Sequence, residues 1–163
     1  YKRQPHYWRY VGTLDDYWNA SMDLVAVQPG LDLYDTGWPI WTRQDPLAPA
    51  RFLSDPDGRR GHAVDSIVSE GCLVHGAEVC GSILSPRVRI GEGSRIEDSV
   101  VLPEVAIGAN CRIKRAILDA GVVIPAGMEV GHNLEQDRER FDVSEGGVVL
   151  VTRGMLENGR HPG

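Results

Sequence analysis

Between Leu53 and Arg140 the chain has no aromatic residue; ten of its eleven rings lie before Leu53 and the other is Phe141. Any core formed in that stretch must be aliphatic. Cysteine is scarce as well. Cys72, Cys80 and Cys111 are odd in number and lack a CxxC pairing, so neither a disulfide framework nor a zinc knuckle is expected, and the three are read as reduced packing residues. Nowhere do eighteen apolar residues follow one another, and the N-terminus is polar and aromatic rather than basic and then apolar. A membrane span and a secretory signal are therefore not expected, and the reading is of a cytoplasmic protein without a membrane partner. Positive charge is in deficit, with 17 Lys and Arg against 23 Asp and Glu and a net charge of -6. That argues against nucleic acid as a partner, because phosphate contacts need a basic face. A local anion site built from a few arginines stays open. No GxGxxG or Walker-type loop occurs, so no nucleotide cradle of those kinds is expected.

What is present suits a folded domain, since 163 residues with 42% hydrophobic content are enough for one core. The aromatic boundary near residue 53 divides the chain, and SDPDGRRGH, residues 54 to 62, is a turn-rich segment at that boundary. Before it, Thr13 and Asp16 form a capping box with a shortened acid. Leu14, Tyr17, Trp18, Ser21, Leu24 and Val25 then fall at helical spacing, which predicts a helix from Leu14 to Val27 stopped by Pro29 and Gly30. The following stretch carries Pro39, Pro46 and Pro49 and should lie extended over another surface. Trp38 and Trp41 need such a surface, because burying a large side chain gains roughly 1.5 to 3 kcal/mol.

From Ser66 the sequence repeats with a register of 17 residues: SILSPRVRIGEGSRIED from Ser82, SVVLPEVAIGANCRIKR from Ser99, and AILDAGVVIPAGMEVG from Ala116. Three aliphatic columns follow: Leu73, Ile90, Ile107 and Ile124; Val79, Ile96, Ile113 and Val130; Leu84, Val101 and Leu118. Steps of six, five and six residues give each turn three short flat faces. Such strands cannot bury an apolar side alone, but turns stacked ~4.8 Å apart bury continuous columns. The fold expected is mainly β: a parallel β-helix of the hexapeptide type, from about Asp65 to Gly131. Ala77, Ser94 and Cys111 fill one corner column. Glu78, Arg95, Arg112 and Glu129 form an outward column, read as a surface ion-pair ladder of small energetic worth, with an anion site from Arg112, Lys114 and Arg115 as the sharper alternative. Four turns leave open ends, so a cap or a neighbouring subunit is expected. Past the repeat, residues 134 to 141 suit a short helix or turn, and Gly147 to Thr152 a strand against the body.

The stretches YWRYVGTLDDYWNASMDL, LYDTGWPIWT, LAPARF, DSIVSEGC, SPRVRIGEG, SVVLPEVAIGANCRIKRAILDAGVVIPAGMEVG and RERFDVSEGGVVLVTRGML together resemble the C-terminal part of bacterial glucose-1-phosphate adenylyltransferase. The resemblance covers essentially the whole chain. It implies a left-handed β-helix that supports tetramer formation and allosteric control by sugar phosphates and adenine nucleotides, in an enzyme making ADP-glucose and pyrophosphate from ATP and glucose 1-phosphate for glycogen synthesis. It also implies four segments: a remnant of the nucleotidyltransferase domain at 1–27, a linker at 28–64, the β-helix at 65–131, and a tail at 132–163. The rings of the first segment would then pack on the enzyme's own catalytic domain. The chain lacks the nucleotide-binding part and should be inactive alone, with no cofactor of its own. Magnesium is expected for the parent enzyme, although Tyr10 stands where the family usually has a magnesium-binding aspartate. Arg153 matches a tail arginine that the family uses for effectors, and Ala120 stands where the family can use a turn arginine.

Three other readings compete. A stand-alone hexapeptide acyltransferase would use a histidine as general base, and His75 is the only histidine inside the turns; no long excursion is expected to interrupt the register. A zinc hydratase would need His62, His75 and His132 to converge, yet no two share a column. A purely structural oligomerisation module is the third of them.

Overall fold

The 17-residue spacing becomes a coil of short strands in the computed structural model, which describes residues 7–42 and 45–158. Helix α1 (Leu14–Val25) comes first, and the strands then fall on three faces. The first face stacks β1 (Arg51–Leu53), β4 (Leu73–His75), β7 (Arg89–Ile90), β10 (Ala106–Ile107) and β13 (Val123–Ile124). The second stacks β2 (His62–Val64), β5 (Glu78–Cys80), β8 (Arg95–Glu97), β11 (Arg112–Lys114) and β14 (Glu129–Val130). The third stacks β3 (Ile67–Val68), β6 (Ile83–Leu84), β9 (Val100–Val101), β12 (Ala116–Leu118) and β16 (Val149–Val151), with β15 (Asp142–Val143) antiparallel on β16. All other pairings are parallel, which makes the body a parallel β-helix. It starts upstream of Asp65, because Arg51–Leu53 already pairs with Leu73–His75.

Two of the three expected columns hold as drawn: Val79, Ile96, Ile113 and Val130 align, as do Leu84, Val101 and Leu118. The other is corrected at its first member. Val74, not Leu73, aligns with Ile90 and is buried. The cause is a corner one residue shorter: five residues separate Val74 from Val79, where six separate Ile90 from Ile96. Gly76, at φ +52°, makes that tight turn.

Each corner uses a residue with positive φ once per turn. Between the first and second faces it is Gly76, Gly93, Asn110 and Gly127; between the second and third, Asp65, Gly81, Asp98 and Arg115; between the third and first, Gly71, Arg87, Glu104 and Gly121. This left-handed backbone suits Gly and Asn and costs other side chains. The residue after it turns inward. Cys72, Val88, Val105 and Val122 are thus fully buried, as are Ser94 and Cys111 in the expected small-residue column. Cys72, Cys80 and Cys111 are free thiols, and burial pushes the Cys72 thiol above its ordinary pKa.

The remaining corner carries a serine ladder. Ser82 Oγ donates to the Cys80 carbonyl at 2.8 Å and accepts the Ser99 N–H at 3.0 Å; Ser99 repeats the pattern with the Glu97 carbonyl and the Ala116 N–H. Ser82 and Ser99 are wholly buried, and their hydroxyls supply the acceptors for the Ser99 and Ala116 N–H groups, while the Cys80 and Glu97 carbonyls also accept from the Asp98 and Arg115 N–H groups.

The capping box at Thr13 and Asp16 forms, and the helix ends two residues short of Val27. Leu14, Tyr17, Trp18 and Met22 pack on outward apolar positions of the third face, Val100 and Ile117, and on Val148. Tyr17 and Trp18 therefore do not wait for an absent domain; they cover an apolar strip that the β-helix itself presents. Trp18 Nε1 donates to the Asp98 carbonyl at 2.7 Å, and Asp15 accepts from Ser144 Oγ and the Gly146 N–H at 2.6 and 3.0 Å. Residues 7–12 of the segment expected as a nucleotidyltransferase remnant form no strand, and residues 1–6 of it lie outside the described residues. Trp8, Tyr10, Tyr34, Trp38 and Trp41 stay largely exposed, Trp41 at 91%. The last turn is capped by α2 (Leu134–Arg138), buried Phe141, and α3 (Arg153–Asn158), whose Met155 joins the core.

Candidate functional site

Arg112 and Lys114 both point outward from β11, on either side of buried Ile113. Arg115 follows at the corner, at φ +49°. Its guanidinium lies 4.1 Å from the centroid of the Trp18 ring, and its Nε donates to the Gly146 carbonyl at 3.1 Å. That cation is committed to holding α1 against the body.

Arg153 opens α3 and donates from Nε to the Gly121 carbonyl at 2.8 Å. Gly121 turns the corner between the third and first faces, which is the corner opposite the second face of the prism. Arg153 and the Arg112–Lys114 pair therefore do not converge within one chain. Around Arg153 lies an open hollow of about 410 Å³ lined by Gly121, Val123, Leu156 and Glu157. Ala120 sits exposed beside it, so this hollow offers one guanidinium and one carboxylate.

The outward column aligns as expected, with Glu78, Arg95, Arg112 and Glu129 in register. Only its first half is an ion-pair ladder. Arg95 lies 3.6 Å from Glu78 and 3.1 Å from Glu97, whereas Arg112 has no carboxylate partner among the described residues. Beside it stands an excursion absent from the expected register. Eleven residues separate Arg51 from His62 at a corner that the next turn crosses in five, from Leu73 to Glu78, and later turns in six, as from Arg89 to Arg95. The extra residues fold into a tight loop closed by a bridge between Ser54 and Arg60. Inside it, burial pushes the Asp55 carboxyl up, but hydrogen bonds and charge from Arg59 outweigh burial and hold it below its ordinary value.

His75 is not placed as a free base: Nε2 lies 3.1 Å from the Ser54 carbonyl and Nδ1 3.3 Å from Glu92. His62 meets the Arg60 carbonyl and Glu78 instead. Among the described residues no three His, Cys, Asp or Glu side chains could hold a metal ion. Tyr10 is exposed at 68%, and a phenol of pKa ~10 does not replace a carboxylate ligand, so the residues present do not fit magnesium.

Residues 48–151 match the family model described as GlmU-like, C-terminal hexapeptide. The chain belongs to this family. The hexapeptide match runs from just before β1 to the end of β16, so it takes in the excursion and every face of the β-helix. The chain is also 53% identical over 156 residues to a glucose-1-phosphate adenylyltransferase of Methylobacillus flagellatus, and 54% identical over 151 and 153 residues to those of Shewanella baltica and Albidiferax ferrireducens. These alignments cover 96%, 92% and 94% of this chain but 36% of each relative, so the chain spans about a third of the length of the curated relatives it matches. No helix of the described residues is long and apolar enough to cross a membrane.

Within this hexapeptide fold, the loop of residues 54 to 61 is the candidate site feature that repeat counting does not find. Its signal was present in SDPDGRRGH, where two adjacent arginines sit in a turn that the 17-residue register does not need.

Proposed function

We propose that this chain is the assembly and regulatory part of a glucose-1-phosphate adenylyltransferase. The full enzyme makes ADP-glucose and pyrophosphate from ATP and glucose 1-phosphate, requires magnesium, works in the cytoplasm and supports glycogen synthesis. The observation that carries this reading is the identity of 53% across 96% of the chain to relatives of which it spans 36%. The chemistry belongs to a catalytic domain outside this chain, for which the exposed Trp8, Tyr34, Trp38 and Trp41 offer an apolar surface. The β-helix joins copies into a homotetramer. Arg153 at the Gly121 corner meets sugar-phosphate or adenine-nucleotide effectors together with groups of the catalytic domain.

An antibody raised to this chain tests the first part in extracts of the source organism. The native band should exceed 17.9 kDa by a whole catalytic domain; a band at 17.9 kDa would overturn the assignment. Thermal protection by fructose 1,6-bisphosphate or AMP tests the regulatory part, and protection by acetyl-CoA alone would move the chain to the acyltransferases.

A further inference from the structure

An arginine-lined concavity lies away from Arg153, at the corner between the first and second faces. It is a groove of about 570 Å³ whose floor is the turns at Gly76 and Gly93, and whose wall is the excursion carrying Arg59 and Arg60. Arg95 and Arg112 line its second-face side, with Glu78 as the carboxylate of the lining. Arg59 rests on the floor: a Cβ at Gly93 would lie 3.2 Å from its Nη1.

The charges in the groove are not balanced by its surroundings. Arg59 is paired with Asp55 and Asp57, and Arg95 with Glu78 and Glu97. Arg60 and Arg112 have no carboxylate partner among the described residues. Arg112 stands in register with Arg95 on one side and Glu129 on the other; it forms no ion pair with Glu129, and the like charge of Arg95 beside it is unfavourable in a sheet and favours an anion between the two guanidinium groups. The volume is that of a small-metabolite site, and guanidinium forks match phosphoryl oxygens in pairs.

We propose that this groove binds the phosphoryl group of a small metabolite, held by Arg60 from the excursion and Arg112 from β11, as an anion site separate from the Arg153 corner. The site belongs to this chain alone, so it does not depend on the effector role proposed for Arg153.

Calorimetric titration of the full chain at fixed ionic strength tests it, with inorganic phosphate, glucose 1-phosphate and fructose 1,6-bisphosphate as probes. Saturable binding of at least one probe is expected. Arg112→Gln and Arg60→Gln should each weaken it by about tenfold, while Arg87→Gln, at a different corner, should leave it unchanged. Arg112→Lys should restore it in part by returning the charge without the fork. Tighter binding of a sugar phosphate identifies a metabolite site, and equal binding of all three identifies a free-phosphate site. The proposal is overturned by the absence of saturable binding, or by Arg112→Gln and Arg60→Gln variants that stay folded by circular dichroism and titrate like the parent chain.

Discussion

The guanidinium of Arg115 lies over the indole ring of Trp18 at 4.1 Å from its centroid, so one stacked pair fastens the N-terminal helix to a corner of the β-helix. Trp18→Ala removes this stack, the apolar contact with the third face and the hydrogen bond to Asp98. Urea denaturation should show a loss of about 1 to 3 kcal/mol. Arg115→Ala should cost less, and the double variant should show a coupling of about 0.5 to 1 kcal/mol. Additive losses would mean that the stack contributes nothing of its own.

Ser82→Ala tests the serine ladder. It deletes few atoms, yet leaves the Ser99 N–H buried without an acceptor. The expected loss is about 1 to 3 kcal/mol, with faster hydrogen exchange at the Ser99 amide than in the parent chain. Unchanged exchange there would show that another group takes over the bond.

Ile107→Asp places a carboxylate in the column between Ile90 and Ile124, where Ile107 is 4% exposed. A buried charge without a partner costs about 3 to 5 kcal/mol, a large part of the stability of a domain this size. The variant should be insoluble or unfolded by circular dichroism. A soluble variant with an unchanged melting temperature would contradict the register.

Two buried carboxylates should give opposite pH slopes. Desolvation raises Asp137 above its ordinary value, although the Gly131 N–H and nearby Arg140 act against the rise. Its contribution to stability is fully present below the unfolded carboxylate pKa and is lost as pH rises through the higher folded value. Parent minus Asp137→Asn stability should therefore fall from acid toward neutral pH. Asp55 is lowered, Arg59 outweighing burial. Its contribution is present above the unfolded pKa and is lost as pH falls through the folded value, so parent minus Asp55→Asn should rise toward neutral pH. Denaturation midpoints between about pH 3 and 7 check both signs.

The later turns were legible because a single residue type, a β-branched or leucine side chain, recurs wherever the chain passes the axis. Ile96, Ile113 and Val130 can be aligned by counting alone. Leu73 and Val74 cannot be told apart that way, since both are aliphatic and the deciding event is a shortened corner at Gly76. Docking of Tyr17 and Trp18 on Val100 and Ile117 was also beyond counting: the outward positions of the third face look like strand filler until a helix is known to lie across them. Of the site residues, Arg112 and Lys114 were rightly read as outward, but the commitment of Arg115 to a ring ninety-seven residues earlier is a tertiary fact that spacing does not carry. The excursion at residues 54 to 61 was read as a boundary because it precedes the regular repeat, although it is part of the first turn.

In the serine ladder every hydroxyl serves the peptide of the following coil, so a coil is chemically complete only when a copy of itself lies alongside. Growth and loss by whole 17-residue units preserve that match, as from Ser82 to Ser99. The one-residue saving at Gly76 falls before the ladder resumes and leaves Ser66 still facing the Ser82 N–H. The corner thus works as a splice point, where a solenoid can change its length while its hydrogen bonding carries across the join.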